Sequence, residues 1–425
     1  MTAPTHQLDL KITITRKIQV YASILALKNR QLVGGVMTSP YRKRLSNKLQ
    51  FGTQTNGGII MAASRSAYQG CLLGLAVGDA MGFPVDTKKW REIRADYGPN
   101  GLLGYDLVNG YADITSHTQL CAFTCNGLLL GLTRGQLQGR MAPFVRYIAL
   151  SHKEWANAQR RFSTLQRTYC WVWWVDELRR RRCTDNRMPD TLAGDRIGSL
   201  EEPVNRLDGP GSIAAAVAVG LFAQPMRMSE RERDHLGAEA VALTYGSPKA
   251  FLPGAVVANL ISAVLHDHET PLENLIYNAL EAVENQFSHD FPRTREILYT
   301  VRQAMHLAGE HRDRQMTMES LVCESGVQVL AGAVYTLLTC GDDFDAAMIT
   351  AVNHSGRSSA VAALVGAILG ARLGVEALPE FYLECLEVAG VLSDLADDVM
   401  SGCPMERRGG TFDLDWDRKY LQGER

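Results

Sequence analysis

The sequence predicts an all-α fold arranged as one large helical domain. Val388, Leu392, Leu395 and Val399 recur at spacings of four, three and four, which is the apolar stripe of an amphipathic helix. After residue 61 no segment alternates apolar and polar residues over a convincing strand length. Two further stretches are rich in Ala, Gly and Leu and predict buried helices that pack closely through small residues: Gly211–Phe222 and Ala360–Leu373.

Composition and charge indicate an ordinary globular protein. The 425 residues are 46% hydrophobic and 21% charged, with a net charge of −2, so we expect no nucleic-acid partner. Nine cysteines are scattered without a CxxC pair, which disfavours a disulfide framework or a zinc site and favours a reducing, cytoplasmic location. The longest apolar stretches, residues 211–223 and 360–371, are too short to span a bilayer, so we expect no membrane association.

The N-terminal segment differs in charge from the rest of the chain. Residues 1–60 hold nine Lys or Arg and a single acidic residue, Asp9, and apolar residues alternate from Leu8 to Ile14 as in a strand. One interpretation is a basic arm that contacts nucleic acid or an acidic partner. The favoured interpretation is a flexible extension, or a start assigned too early, with Met61 as the first native residue. The predicted organisation is an N-terminal extension (1–65), a helical domain (66–405) and a C-terminal tail (406–425).

Five segments in a fixed order carry a family resemblance. The first reads GCLLGLAVGDAMGFPVD and the last reads VNHSGRSSAVAALVGAILGARLG. Together the five resemble the ADP-ribosylglycohydrolase family, which implies a single orthogonal multi-helix domain. The segments are Gly70–Asp86, Asn109–Leu130, Trp174 with Ser199–Gly220, Leu243–Gly254 and Val352–Gly374.

The resemblance implies hydrolysis of the N- or O-glycosidic bond between ADP-ribose and a protein side chain or small molecule. It also implies two Mg²⁺ ions, held by Thr-Asp-Asp at one helix start and by Asp-x-Asp-Thr at another. Here residues 115–118 read Thr-Ser-His-Thr and residues 357–360 read Arg-Ser-Ser-Ala, so the four aspartates are absent. Missing oxygen ligands and the positive charge of Arg357 both oppose cation binding, so we expect no metal and no other cofactor.

Candidate ligand-binding residues follow from the segments that match the family pattern. Asp86 is the candidate catalytic carboxylate, although a lone carboxylate needs a shifted pKa and a positioned substrate to contribute much. The candidate ligand-binding residues are Asp79, Thr115, Ser116, His117, Asn353, His354, Gly356, Arg357 and Ser359.

Several of these residues also have a purely structural interpretation. Arg357 either pairs with the diphosphate of ADP-ribose or fills the vacated space and pairs with a nearby carboxylate. Ser116 and Gln119 fit a capping box at a helix start. His117 is either an acid–base group or a packed side chain, and His354 is a similar case. The basic run at residues 179–182 follows several tryptophans, and a solvated helix end is favoured there over a nucleic-acid site.

Three hypotheses about function follow. The leading one is a catalytically impaired family member, a pseudoenzyme that binds ADP-ribose or an ADP-ribosylated protein without metal. The second is an active hydrolase with a divergent, metal-independent site that uses Asp86. The third is a structural or partner-binding scaffold, which an exposed apolar patch would indicate. The sequence identifies no oligomeric state.

Overall fold

The predicted all-α fold is confirmed. A computed structural model describes residues 63–160, 167–182, 187–224, 226, 228–310, 312–407 and 411–425. These residues form eighteen α-helices, and within them the only extended pairing is an isolated bridge between Val108 and Tyr111. The basic N-terminal segment and its predicted strand lie outside the described residues.

The helices are joined by connections of unequal length, the longest of which precede α3 and α7. In chain order they are α1 (Arg65–Gly82), α2 (Trp90–Tyr97), α3 (Ser116–Gln138), α4 (Phe144–Ala158), α5 (Asp176–Arg179), α6 (Arg187–Ala193), α7 (Ala214–Ala223), α8 (Glu230–Ala242), α9 (Pro248–His266), α10 (Leu272–Phe287), α11 (Thr294–Ala308), α12 (Arg314–Leu321), α13 (Gly326–Cys340), α14 (Phe344–Val352), α15 (Ser358–Leu373), α16 (Glu380–Glu384), α17 (Ala389–Ser401) and α18 (Leu414–Asp417). Short 3₁₀ turns cover Phe83–Val85, Trp171–Trp174 and Val375–Ala377, and a π turn covers Arg418–Gln422.

Helices α1 and α15 form the central pair of the fold, and small residues let their backbones touch. A Cβ added at Gly74 would lie 2.1 Å from the carbonyl oxygen of Gly366, and one added at Gly78 would lie 1.9 Å from that of Ala362. The glycines on α1 recur every fourth residue, so they share one helix face. The predicted close packing of residues 360–373 through small side chains is therefore confirmed.

Two other helices predicted from the sequence are also confirmed. Every residue of α7 is buried, as expected for an Ala-rich helix within the core. Helix α17 turns Leu392, Leu395 and Val399 inward, and Val388 is buried at its N-cap. The spacing of four, three and four residues thus places one face of α17 against the core.

Helix α9 is a long apolar helix that was not predicted from the sequence. It is the one helix in the described ranges whose length and composition suffice to cross a membrane, and 83% of its apolar window is buried inside the fold. Lys249, Pro253 and Asn259 interrupt its apolar run, which is why scanning for continuous stretches missed it. Its apolar character is accounted for by the neighbouring helices that cover it.

The C-terminal residues pack against the helical domain. Trp416 on α18 is buried, and its Nε1 donates to Thr133 Oγ1 on α3 at 2.9 Å. The hydroxyl of Tyr420 donates to Asp398 Oδ2 on α17 at 2.6 Å. The chain after residue 411 therefore contributes two large aromatic side chains to the core.

Candidate functional site

The N-terminus of α3 is fixed by a carboxylate from α1. Asp79 Oδ2 accepts hydrogen bonds from the backbone N–H of Thr115 at 2.8 Å and from that of Thr118 at 3.1 Å. The hydroxyls of both threonines also donate to Asp79, at 2.5 Å and 2.6 Å. A buried carboxylate at a helix N-terminus satisfies donors that lack intrahelical partners and complements the helix dipole. Asp79 and Thr115, both candidate ligand-binding residues, are thus engaged with each other.

The predicted capping box of Ser116 and Gln119 is wrong. The N-cap is Thr115, whose side chain accepts from the backbone N–H of His117. The Gln119 amide instead donates to the carbonyl oxygens of Glu177 and Arg180, at 3.0 Å and 2.9 Å. Gln119 therefore anchors the segment around α5 to α3, and Ser116 is left partly exposed in the first turn of α3.

Asn353 and His354, in the turn before α15, have mainly structural contacts. Asn353 Oδ1 accepts from Leu102 N at 2.8 Å, and its Nδ2 donates to Leu102 O at 2.9 Å and to Ile349 O at 2.8 Å. His354 Nδ1 accepts from Gly356 N, so Nε2 carries the proton and donates to Ala351 O at 3.0 Å. Burial lowers the pKa of His354 to about 4, which keeps the ring neutral.

Gly356 lets a second loop approach this turn. A Cβ at Gly356 would lie 2.4 Å from Val322 O and 2.8 Å from Cys323 Cβ. The backbone N–H of Arg357 donates to Cys323 O at 2.9 Å. The segment between α12 and α13 is therefore in direct contact with the start of α15.

Arg357 lies at the N-cap of α15 and lines an open cleft of about 330 Å³. Its Nε donates to Glu324 Oε2 at 3.0 Å, and both side chains are partly exposed. The pairing with a nearby carboxylate, one of the two interpretations of Arg357, is thus present. The cleft contains cationic and anionic groups, and its lining residues are Arg187, Leu207, Asp208, Gly209, Tyr245, Lys249, Glu324, Ser325, Gln328 and Arg357.

Asp86 lies beside the start of α15. Its Oδ1 accepts from the backbone N–H of Ser359 at 3.1 Å. Burial raises the pKa of Asp86 to about 6, and the Ser359 hydrogen bond and the charge of Arg357 offset part of that shift. The negative charges of Asp79 and Glu324 raise the pKa slightly further. Asp86 therefore changes its protonation state close to neutral pH.

Two buried polar atoms lie close to these charges. His117 Nδ1 and Ser359 Oγ have no hydrogen-bond partner within the ranges that the structure describes. Burial lowers the pKa of His117, Asp79 acts against that shift, and Arg357 adds to it. The starts of α3 and α15 thus share one electrostatic environment. In the described part of the chain, no group of three or more His, Cys, Asp or Glu side chains is arranged to hold a metal ion.

The candidate residues therefore divide by location. Arg357 lines the cleft, whereas Asp86 and Ser359 are hydrogen-bonded at the start of α15 and His117 is buried in the first turn of α3. Asn353, His354 and Gly356 support the backbone of the turn. Most of the residues that line the cleft were not predicted from the sequence. Tyr245 and Lys249 lie within the segment Leu243–Gly254 that carries the family resemblance, but nothing in the local sequence pointed to Asp208 or Glu324.

Three of the four arginines at residues 179–182 pair with carboxylates, and Arg179 pairs with Asp176. Arg180 contacts Glu177 and Glu387 at 3.3 Å, and Arg182 pairs with Asp113. Trp171 and Trp173 are buried, while Trp174 is 49% exposed and donates from Nε1 to Gly423 O. These contacts agree with the interpretation of residues 179–182 as a solvated helix end rather than a nucleic-acid site.

The fold and the site define an all-α protein with a charged cleft at the N-terminus of α15. The chain belongs to the ADP-ribosylglycohydrolase family, whose profile matches residues 61–409. It is similar to an uncharacterized protein of Archaeoglobus fulgidus, with 24% identity over 344 residues that cover 77% of this chain and 94% of the relative. A solved structure titled "ADP-ribosylglycohydrolase-related protein complex" is 22% identical, covers 79% of this chain and 98% of its own, and has a TM-score of 0.48.

Proposed function

We propose that this chain binds an ADP-ribosyl group in the cleft beside Arg357 without a pair of metal ions, and that its hydrolytic activity is impaired. Family membership supports the ligand class. The observation that carries the proposal is the position of Arg357, a permanent cation at the N-cap of α15 that lines the cleft. The family resemblance places a metal-binding carboxylate at this position.

The surroundings of the helix starts support the absence of a metal pair. Two Mg²⁺ ions need several carboxylate oxygens to balance their charge. Asp79 already accepts four hydrogen bonds from the start of α3. The Ser358 hydroxyl donates to Val352 O at 2.9 Å, and the positive charge of Arg357 opposes a nearby cation. The residues at these positions therefore suit a metal-free site.

The charge of the cleft supports an anionic ligand. Arg187, Lys249 and Arg357 line it together with two carboxylates, so cationic side chains outnumber anionic ones by one in a volume that can hold a diphosphate. A guanidinium binds phosphate oxygens in a bidentate arrangement that a metal-free site can use. Tyr245, a largely buried side chain, forms part of the wall of the same cleft.

The charge-reversal variant Arg357→Glu tests this proposal. We expect its affinity for ADP-ribose, measured by calorimetric titration at low salt, to fall by about tenfold or more, as for loss of a charge-assisted hydrogen bond. Arg418→Glu is the matched control, because Arg418 is exposed, pairs with Asp415 and lies outside the cleft lining. If Arg357→Glu binds as well as the parent, Arg357 has no role in recognition.

The second candidate function is metal-independent hydrolysis by Asp86. The observation that favours it is the pKa of about 6, which suits a general acid or base near neutral pH. The test is turnover of ADP-ribosyl-arginine in excess EDTA by the parent and by Asp86→Asn. Turnover that survives EDTA and disappears in the variant supports this candidate. No turnover by the parent rules it out for this substrate.

A further inference from the structure

We propose that Glu324 is a specificity-determining residue, which occupies Arg357 until a phosphate-bearing ligand displaces it. The inference rests on the proposed function, since it concerns the same arginine. Glu324 Oε2 lies 3.0 Å from Arg357 Nε, and both side chains line the cleft. An anionic ligand that reaches Arg357 therefore meets a carboxylate that is already in place.

The backbone before Glu324 is held in an unusual conformation. Val322 and Cys323 have φ angles of 66° and 51°, in the left-handed region that a β-branched residue such as valine rarely adopts. The Cys323 side chain is buried, and its carbonyl oxygen accepts from Arg357 N at 2.9 Å. Strain of this kind persists only where the surrounding structure fixes it, and it is concentrated at functional sites. The loop thus keeps Glu324 beside the arginine.

The backbone after Glu324 is fixed as well. Gln328 Oε1 accepts from Ser325 N at 3.0 Å and from Ser325 Oγ at 3.1 Å, which closes a capping box at the start of α13. Both partners of the ion pair therefore come from anchored segments. Because both segments are already ordered, the ion pair forms without fixing any further backbone. The Glu324 carboxylate is therefore present at a high effective concentration beside Arg357.

Because the Glu324 carboxylate is held beside Arg357, a ligand must bind the Arg357 guanidinium more strongly than this carboxylate does. A ligand that offers only one carboxylate gains nothing by replacing Glu324, because it exchanges like for like. A diphosphate has more charge and can bind the guanidinium through two oxygens, so it can displace the carboxylate. The side chains of Arg357 and Glu324 are 34% and 43% exposed, so water screens the pair and the barrier to displacement is modest.

The test compares the parent, Glu324→Gln and the double variant Glu324→Gln/Arg357→Ala. Pyrophosphate and ADP-ribose are titrated separately into each full-length protein by calorimetry. We expect Glu324→Gln to bind both probes about fivefold more tightly than the parent, in the range of an exposed ion pair. The double variant should lose this gain. Asp415→Asn, which releases the exposed Arg418, is the control and should leave both affinities unchanged.

The outcomes separate this inference from the proposed function. Equal pyrophosphate affinity in the parent and Glu324→Gln overturns the role of Glu324, as does a gain that persists in the double variant. Pyrophosphate binding to none of the proteins overturns it too. If pyrophosphate responds as expected but ADP-ribose binds none of the variants, the role of Glu324 stands and the proposed ligand is wrong.

Discussion

Asp86→Asn should stabilise the fold near neutral pH and have almost no effect near pH 4. Asparagine has nearly the size of aspartate, and its carbonyl oxygen can still accept from Ser359 N, so the substitution mainly removes a charge. The pKa of Asp86 is raised from its ordinary value of 3.8 to about 6 in the fold, chiefly by burial. The folded protein therefore holds this proton more tightly than the unfolded chain, and stability falls as the pH rises from about 4 to about 6.

The size of the effect follows from the pKa difference. At about 1.4 kcal/mol per pKa unit, the full difference corresponds to about 3 kcal/mol. The Asp86 side chain is partly open to water, which screens its charge, so we expect a gain of about 1–2 kcal/mol for the variant at pH 7. Well below pH 3.8 the Asp86 carboxyl is protonated in both the folded and the unfolded chain, so the gain should vanish.

Urea unfolding of the parent and Asp86→Asn at a series of pH values measures this difference. The contributions of all other titrating groups are common to both proteins and cancel in the comparison. A gain that grows between pH 4 and pH 6 and then stays constant would agree with the reasoning. If the variant is less stable than the parent at pH 7, the Asp86 carboxylate is favourably solvated or paired, and its raised pKa is wrong.

Three further substitutions test the fold around the site by the same unfolding assay. Asp79→Asn should lower the free energy of unfolding by about 2–3 kcal/mol, because the buried N–H and hydroxyl donors of Thr115 and Thr118 lose a charged acceptor. An effect below about 0.5 kcal/mol would contradict the role of Asp79 at the N-terminus of α3. Gly74→Ala should cost about 3 kcal/mol, because its Cβ would overlap the backbone of Gly366, whereas Gly390→Ala has open space and should stabilise slightly. Trp416→Ala should cost about 3 kcal/mol if the C-terminal residues belong to the folded domain, and an unchanged midpoint would show that they do not.

The sequence predicted the helices whose signal is local. The stripe from Val388 to Val399 and the small residues of 360–373 each reveal a buried face through their spacing. Helix α9 was missed, because Lys249 and Pro253 break its apolar run while the surrounding helices bury it in three dimensions. The spacing of apolar residues in the sequence therefore predicts a helix more readily than it predicts how much of that helix is buried by its neighbours.

The site could be predicted only in part, because its contacts join distant segments. Asp79 was expected to line the site from the resemblance, yet its partners lie more than thirty residues further along the chain. Glu324 precedes Arg357 by thirty-three residues and belongs to no recognised motif. The predicted capping box was wrong because a carboxylate from another helix caps α3, which leaves Gln119 available for other carbonyl oxygens. Such pairings depend on the tertiary fold rather than on spacing.

Calorimetric titration of ADP-ribose into the full-length protein, first with Mg²⁺ and then with EDTA, tests the central proposal most directly. A metal-free cleft that relies on Arg357 predicts the same affinity in both buffers. Binding that requires Mg²⁺ would contradict the proposal, since it would show that the residues at the starts of α3 and α15 hold a metal after all.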